Sequence, residues 1–310
     1  MGRYDLRDEI AHLDPETDYV RISTLLATHE FPWDITQALS FALFRTYAVP
    51  SIGRLLFETG EFTERTQKRY DDTVLVLDAV LEHGLGSTEG RTAVRRMNQM
   101  HRAHGIPDDD LRYVLATFVV SPVRWVDAFG WRRYTEGERA ATTAFYRDLG
   151  RHMGITELPT MYAGFEALME AYEREHFAFD EGARAVADAM LDLLGTFAPN
   201  RWAPRAAVRQ LAYSLMDDHL LDAFHYPRPA QLVRAAFRSA LATRGRLVRL
   251  LPPRTEPTFG RQNPSVRSYP DGYRVDDLGT FPGADSRCPV PQWRREPSNG
   301  DTERERPVSR

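Results

Sequence analysis

RRMNQMHRAHGIPDDDLRYVLATFVVSPVRWVDAFGWRRYTEGERAATTAFYRDLGRHMGI, residues 95–155, is the stretch whose punctuation decides the fold. Its first part belongs to a helix from Ser87 to His104, where Val94, Met97 and His101 fall at i, i+3 and i+7 and so share one face. Gly105 follows where a left-handed residue closes a helix, and Gly154 ends the quoted stretch in the same way. Between them the pattern predicts a helix from Asp108 to Phe129 with a bend at Pro122, and another from Glu136 to Met153. The latter opens on Thr135 followed by Glu138, the two members of a capping box.

Outward from there the same grammar recurs. Upstream it predicts helices at Pro15 to His29, Trp33 to Ala48, Ser51 to Thr59 and Phe62 to His83, the last closed by Gly84. Downstream it predicts Thr160 to His176, Glu181 to Thr196, Pro204 to Phe224 and Pro229 to Leu250. No alternating run of β-branched residues is long enough to build a sheet, so the expected fold class is all-α, a single large multi-helix domain over residues 1–251. From 252 to 310 the composition turns to Pro, Arg, Ser, Gly and Asp. That segment reads as a tail whose aromatics Tyr269, Tyr273, Phe281 and Trp293 let its first part drape over the body, with a disordered end, REPSNGDTERERPVSR.

Composition excludes several functions. The formal net charge is -4 and no stretch carries dense Lys/Arg clustering, which argues against nucleic acid as a partner. The lone cysteine, Cys288, allows no internal disulfide and no thiolate cage, as fits a reducing, cytoplasmic setting. The opening MGRYDLRDEIAHLDPE is charged from Arg3 onward and lacks the apolar core of a secretion signal. Tyr113 to Val126 is the longest apolar-rich run, interrupted by Ser121, Pro122 and Arg124, whereas a membrane span needs about 20 apolar residues.

Nine histidines offer chemistry, and most have ordinary readings: His12, His29 and His83 sit at helix ends among charges. Glu173 and His176 form Glu-x-x-His, half of a di-iron bundle site. The run Met216-Asp-Asp-His219, with His225 beyond it, is a further metal candidate that reads equally well as a solvated acidic face. His101 stands apart because its face is apolar. A buried neutral imidazole is either a hydrogen-bonded core histidine or an axial ligand to haem iron with its other nitrogen held by a carbonyl or carboxylate. On the preceding helix Arg69 and Thr73 stand four apart, on a stripe that Val76 and Val80 continue, so a guanidinium and a hydroxyl emerge beside apolar surface. A salt bridge and a hydroxyl bonded to its own helix explain that pair equally well.

Together these segments resemble the oxygenases grouped with fungal MpaB, which cleaves a prenyl side chain, and with the bacterial latex-clearing rubber oxygenases, the MpaB branch above all. The resemblance is carried by residues 95–155, with an Arg-x-Asn-x-x-His core at Arg96, Asn98 and His101, and by Arg69-Tyr-Asp-Asp-Thr73 upstream. It covers residues 50–180 well and the rest by helix count. It implies a helical fold of the latex-clearing type around haem b, with His101 as proximal ligand and Arg96 and Met97 beside the cofactor. It also implies Arg69 and Thr73 near the distal side, where Arg69 hydrogen-bonds or polarises dioxygen, the co-substrate, and Thr73 helps to position it. The implied reaction oxidises, and in known members cleaves, a carbon–carbon double bond of a small apolar, isoprenoid-like molecule.

The resemblance has departures. Latex-clearing proteins tend to carry a lysine immediately before the threonine, where this chain has Asp72, so no role of that lysine carries over. Asp72, Glu58 and Glu61 are alternative acid or base candidates, each equally readable as a solvated carboxylate. The membrane segment of the fungal proteins is not found at the N-terminus, which leads us to expect a soluble substrate or a peripheral encounter with lipid. For haem propionates, Arg95, Arg102, Arg112 and Arg124 are the candidates near the matched stretch, and Met100 is a second methionine for the haem edge. The readings from other classes are a helical ligand-binding protein without chemistry and a di-iron carboxylate oxidase.

Overall fold

The structure, a computed structural model, describes residues 2–280. Expectations for Phe281, Cys288, Trp293 and the terminal REPSNGDTERERPVSR concern residues outside that range. The described residues form fourteen α-helices and no strand, which settles the all-α class. Short helices α1 (Asp5–Ala11) and α2 (Tyr19–Leu25), the latter running on through a π-helical turn at Leu26–Glu30, lead into α3 (Pro32–Tyr47). Then come α4 (Pro50–Glu58), α5 (Glu61–Glu64), α6 (Thr66–His83), α7 (Thr88–Ala103), α8 (Asp108–Phe129) and α9 (Glu136–Met153). The chain continues through α10 (Tyr162–His176), α11 (Glu181–Leu194), α12 (Arg205–Leu215), α13 (Asp218–Ala223) and α14 (Gln231–Val248).

The central element is α8. It is buried along most of its length by Tyr113, Ala116, Val119, Val120, Val123 and Val126, and it runs helical through Pro122. A helix apolar on nearly all sides needs neighbours all round, and α3, α9, α10 and α14 supply them. One core gathers α6, α7, α8 and α9 through Leu75, Val94, Tyr113 and Leu149. A second joins the end of α3 to α11, α12 and α13, and a third lies under the N-terminal helices and the last turns of α8.

Two predicted helices are split, for reasons readable in hindsight. The span from Phe62 to His83 breaks at Arg65, whose backbone (φ -131°, ψ 40°) leaves the helical region between α5 and α6. The span from Pro204 to Phe224 breaks at Met216, because the Asp217 carboxylate accepts from the Leu220 N–H at 2.9 Å and starts α13 as a new helix. Thr135 and Glu138 do form a capping box, and Gly105 (φ +60°) and Gly154 (φ +79°) are left-handed.

Residues 252–280, read as the first part of a tail, lie along α6 without forming an α-helix. Asp71 accepts from the backbone N–H groups of Arg267 (3.0 Å) and Ser268 (2.8 Å), and Asp78 from those of Gly260 (2.7 Å) and Arg261 (3.0 Å). These charge-assisted bonds satisfy an irregular backbone that has no ladder of its own. Leu278 is fully buried at the end of this segment. Among the described residues no helix is long and apolar enough to cross a membrane.

Candidate functional site

The site is assembled from three helix positions, each fixed by local chemistry. Helix α7 starts at Ser87, whose hydroxyl accepts from the Gly90 N–H at 2.8 Å. It ends in a Schellman turn, with Gly105 N–H donating to the Arg102 carbonyl at 3.1 Å and Ile106 N–H donating to the His101 carbonyl at 3.3 Å. The backbone of His101 is therefore clamped in the closing turn, while Val94 and Met97 on its face are buried in the core.

Helix α3 must stop at Tyr47, because Pro50 opens α4 and holds Val49 extended (ψ 114°). At Gly53 a Cβ would lie 2.3 Å from the Tyr47 carbonyl oxygen and 2.4 Å from Ala183 Cβ, so only glycine lets α4 pass so close to both the end of α3 and α11. On α6, the Arg69 guanidinium donates to Thr73 Oγ1 at 2.5 Å, and that hydroxyl donates back to the Arg69 carbonyl at 2.9 Å. The arginine is held along its helix, with its guanidinium carbon 5.1 Å from the centre of the Phe62 ring.

These three positions meet at a cavity of about 470 Å³, lined by Tyr47, Phe62, Arg69, Thr73, Met100 and His101 together with apolar groups such as Leu43, Leu55, Leu56 and Val114. His101 Nδ1 is shut off from solvent and has no hydrogen-bond partner, so the carbonyl or carboxylate expected to hold the second ring nitrogen is not supplied. Burial, helped by the positive charge of Arg69 and by His104, pushes the imidazole pKa down to about 4. The ring is thus neutral at physiological pH. A second cavity of about 590 Å³, lined by Trp33, Tyr70, Leu77, Phe118, Trp125 and Phe259 among others, adjoins the first, for Leu43 and Thr73 line both.

Not every expected residue reaches the cavity. Arg96 donates through Nε to the Leu278 carbonyl, and Met97 is core, so neither lines it. Asn98 donates to the His152 carbonyl at 3.0 Å, which makes two of the three motif residues tethers and leaves His101 alone on the cavity. Of the three candidate carboxylates, Asp72 pairs with Lys68 (2.8 Å) and accepts from the Tyr269 hydroxyl, Glu61 pairs with Arg65, and Glu58 lines the cavity, as does Asp110. Arg112 is held by Asp108 and Asp109 and Arg124 by Glu166 and Glu170, while Arg95 and Arg102 lie exposed away from it. The arginines that do line it are Arg69 and Arg54, the latter paired with Asp180 at 2.6 Å. Sequence reasoning missed Arg54, Tyr47 and His104. A shared face on α4 is the only signal that bears on Arg54, and it is weak.

The metal alternatives dissolve into structure. Glu173 accepts from Arg45 (Nε at 2.6 Å) and from the Tyr113 hydroxyl (3.2 Å), and the His176 ring lies 4.1 Å from that of Tyr172. Asp217 is a helix cap bound to Arg45, and Asp218 pairs with Arg234 at 2.7 Å. Among the described residues, no three His, Cys, Asp or Glu gather as a metal-ligating cluster.

Comparison with known proteins places this geometry in context. The family model described as "ER-bound oxygenase mpaB/B'/Rubber oxygenase, catalytic domain" matches residues 34–246, more than half of the chain. The ER-bound oxygenase mpaB' of Penicillium brevicompactum is 33% identical over 268 residues, covering 81% of this chain and 63% of its own. The ER-bound oxygenase mpaB of Penicillium roqueforti (strain FM164) is 33% identical over 241 residues, 72% of this chain and 80% of its own. The mpaB of Penicillium brevicompactum is 36% identical over 171 residues, 53% of this chain and 43% of its own. The chain thus spans less than two thirds of the length of the first of these relatives.

Proposed function

This chain belongs to the family of the mpaB/B' and rubber oxygenase catalytic domain, and from that premise we propose that it is a haem b-dependent oxygenase that uses dioxygen to oxidise, and cleave, a carbon–carbon double bond of an apolar, isoprenoid-like substrate. The observation that carries the proposal is convergence. Arg69, Thr73 and His101, singled out by spacing on two separate helices, line one cavity, and burial holds the His101 ring neutral there.

The residues present fit the cofactor. The cavity lies within the roughly 300–1,000 Å³ of small-molecule and cofactor sites and is mainly apolar, and His101 offers a neutral nitrogen of the kind an iron porphyrin takes as axial ligand. When bound, haem supplies a redox-active iron at which dioxygen chemistry can occur. The chain does the rest. His101 would hold the cofactor from the clamped end of α7, and Leu43, Leu55, Leu56, Phe62 and Val114 give the interior of the cavity an apolar wall. Arg69, aligned by Thr73, presents a permanent positive charge and N–H donors to oxygen acceptors in the cavity. The adjoining apolar cavity suits an isoprenoid chain whose double bond approaches past Thr73 and Leu43.

The absorption spectrum of the purified protein tests this reading: a Soret band is expected, and its replacement by stoichiometric non-haem iron would sink it. His101→Ala is expected to lose bound haem while keeping the helical far-UV signal. Full haem occupancy with an unchanged spectrum in that variant removes His101 as the ligand.

A further inference from the structure

Eight buried side-chain nitrogen or oxygen atoms among the described residues have no hydrogen-bond partner. They belong to Arg3, Ser23, Tyr47, His101, Arg139 and Arg234, and of these only Tyr47 and His101 line either of the two cavities described above. A buried polar atom without a partner is uncommon in a native fold, because its desolvation goes uncompensated. Two such atoms belong to side chains that line one cavity, so the unmet hydrogen bonding is concentrated beside a place where a ligand would sit.

For Tyr47, packing does not explain the hydroxyl. The residue is fully buried, and its ring meets Phe44 and Phe62 edge-on at 5.8 and 5.4 Å, contacts that a phenylalanine would make equally well. Phe62 in turn carries the Arg69 guanidinium against its face, so Tyr47, Phe62 and Arg69 form one continuous wall. Burial pushes the phenol pKa well above its usual range, with Arg69 pulling weakly the other way, so the hydroxyl keeps its proton and is available as a donor.

We infer that the Tyr47 hydroxyl is a second donor, beside Arg69, to a small oxygen or halide acceptor held in the cavity with His101. Its role is to select and orient such an acceptor within a mainly apolar chamber. The choice of probe rests on the haem reading, and the experiment separates the two ideas. It compares the full chain with Tyr47→Phe, which keeps the ring and deletes only the hydroxyl.

In haem-free protein, thermal unfolding is expected to show Tyr47→Phe melting higher by about 2–4 °C, because an unsatisfied buried group has been removed. In haem-loaded protein, fluoride titrated against the ferric spectrum is expected to bind about 3- to 10-fold more weakly to the variant, one hydrogen bond having been lost. A lower melting midpoint together with unchanged fluoride affinity assigns the hydroxyl to packing or to a resident water and overturns the inference. If the chain takes up no haem, the haem reading falls and melting alone decides: a rise keeps Tyr47 as an unspent donor, and a fall overturns it.

Discussion

Two buried polar clusters divide the molecule by how completely they are satisfied. At the start of α9, Arg132 is almost wholly buried between Glu30, from the π-helical turn after α2, and Glu138. Its nitrogens donate to Glu30 Oε2 at 2.6 and 2.9 Å and to the Glu138 carboxylate at 2.7 and 2.8 Å, while Glu138 also accepts from the Thr135 N–H at 2.8 Å. At the cavity between α3, α6 and α7, His101 Nδ1 and the Tyr47 hydroxyl are likewise shut off from solvent, yet they have no partner. A chain that meets a polar requirement internally has built architecture, and one that leaves it open beside a cavity has built a binding site.

The largest effect is expected where satisfaction is complete. Arg132→Met leaves Glu30 and Glu138 buried without their hydrogen-bonded counter-charge, Arg3 remaining only as a nearby positive charge to Glu30, and removing one partner of a buried pair costs about 3–5 kcal/mol. Urea denaturation at pH 7 should show that loss. A loss below about 1 kcal/mol would mean that water already reaches the cluster, and the contrast with the cavity would collapse.

The cavity makes a smaller and pH-dependent prediction. Free histidine titrates near 6.5, whereas His101 in the folded protein is pushed down to about 4 by burial, with Arg69 and His104 adding to it. Between those values the unfolded chain takes up a proton that the folded chain refuses, so folding stability falls as pH falls from about 6.5 to about 4. The loss from this one group is on the order of 2–3 kcal/mol. His101→Leu should remove that part of the slope when haem-free protein is denatured at pH 7 and pH 4.5. His29, also pushed down by burial, contributes equally to both proteins and cancels in the difference. Identical slopes would mean that the His101 ring is solvated in the folded state, which erases the contrast from the other side.

How much of this was legible in the sequence follows from how local each feature is. The apolar face of α7, the capping box at Thr135 and the left-handed Gly105 depend on residues within a turn or two, and spacing reveals them. So does the alignment of Arg69 with Thr73, one turn apart. Tyr47 and Arg54 were illegible because what makes them cavity residues comes from elsewhere: Phe62 and Arg69 for one, Asp180 for the other. That the first part of the tail drapes over the body was legible from Tyr269 and Tyr273, which do pack on the core, but how 259–280 is fixed there was hidden. It is held by Asp71, Asp72 and Asp78 through hydrogen bonds that leave no apolar period. The Arg-x-Asn-x-x-His core puts His101 on the apolar face but does not reveal what Arg96 and Asn98 hold, since that depends on Leu278 and His152, far along the chain.

That division within the motif yields the smallest prediction. Asn98 lies one turn before His101 and donates to the His152 carbonyl at 3.0 Å, tying α7 to the last turn of α9. Asn98→Ala removes a single half-exposed hydrogen bond, so the expected loss of stability is about 1 kcal/mol. Haem content and the Soret maximum should stay as they are, because the Schellman turn at Arg102 and Gly105 holds the His101 backbone independently of Asn98. If Asn98→Ala instead weakened haem binding tenfold at little cost in stability, the tether would be setting the imidazole's aim. Asn98 would then belong with the open cluster at the cavity rather than with the satisfied architecture of Arg132.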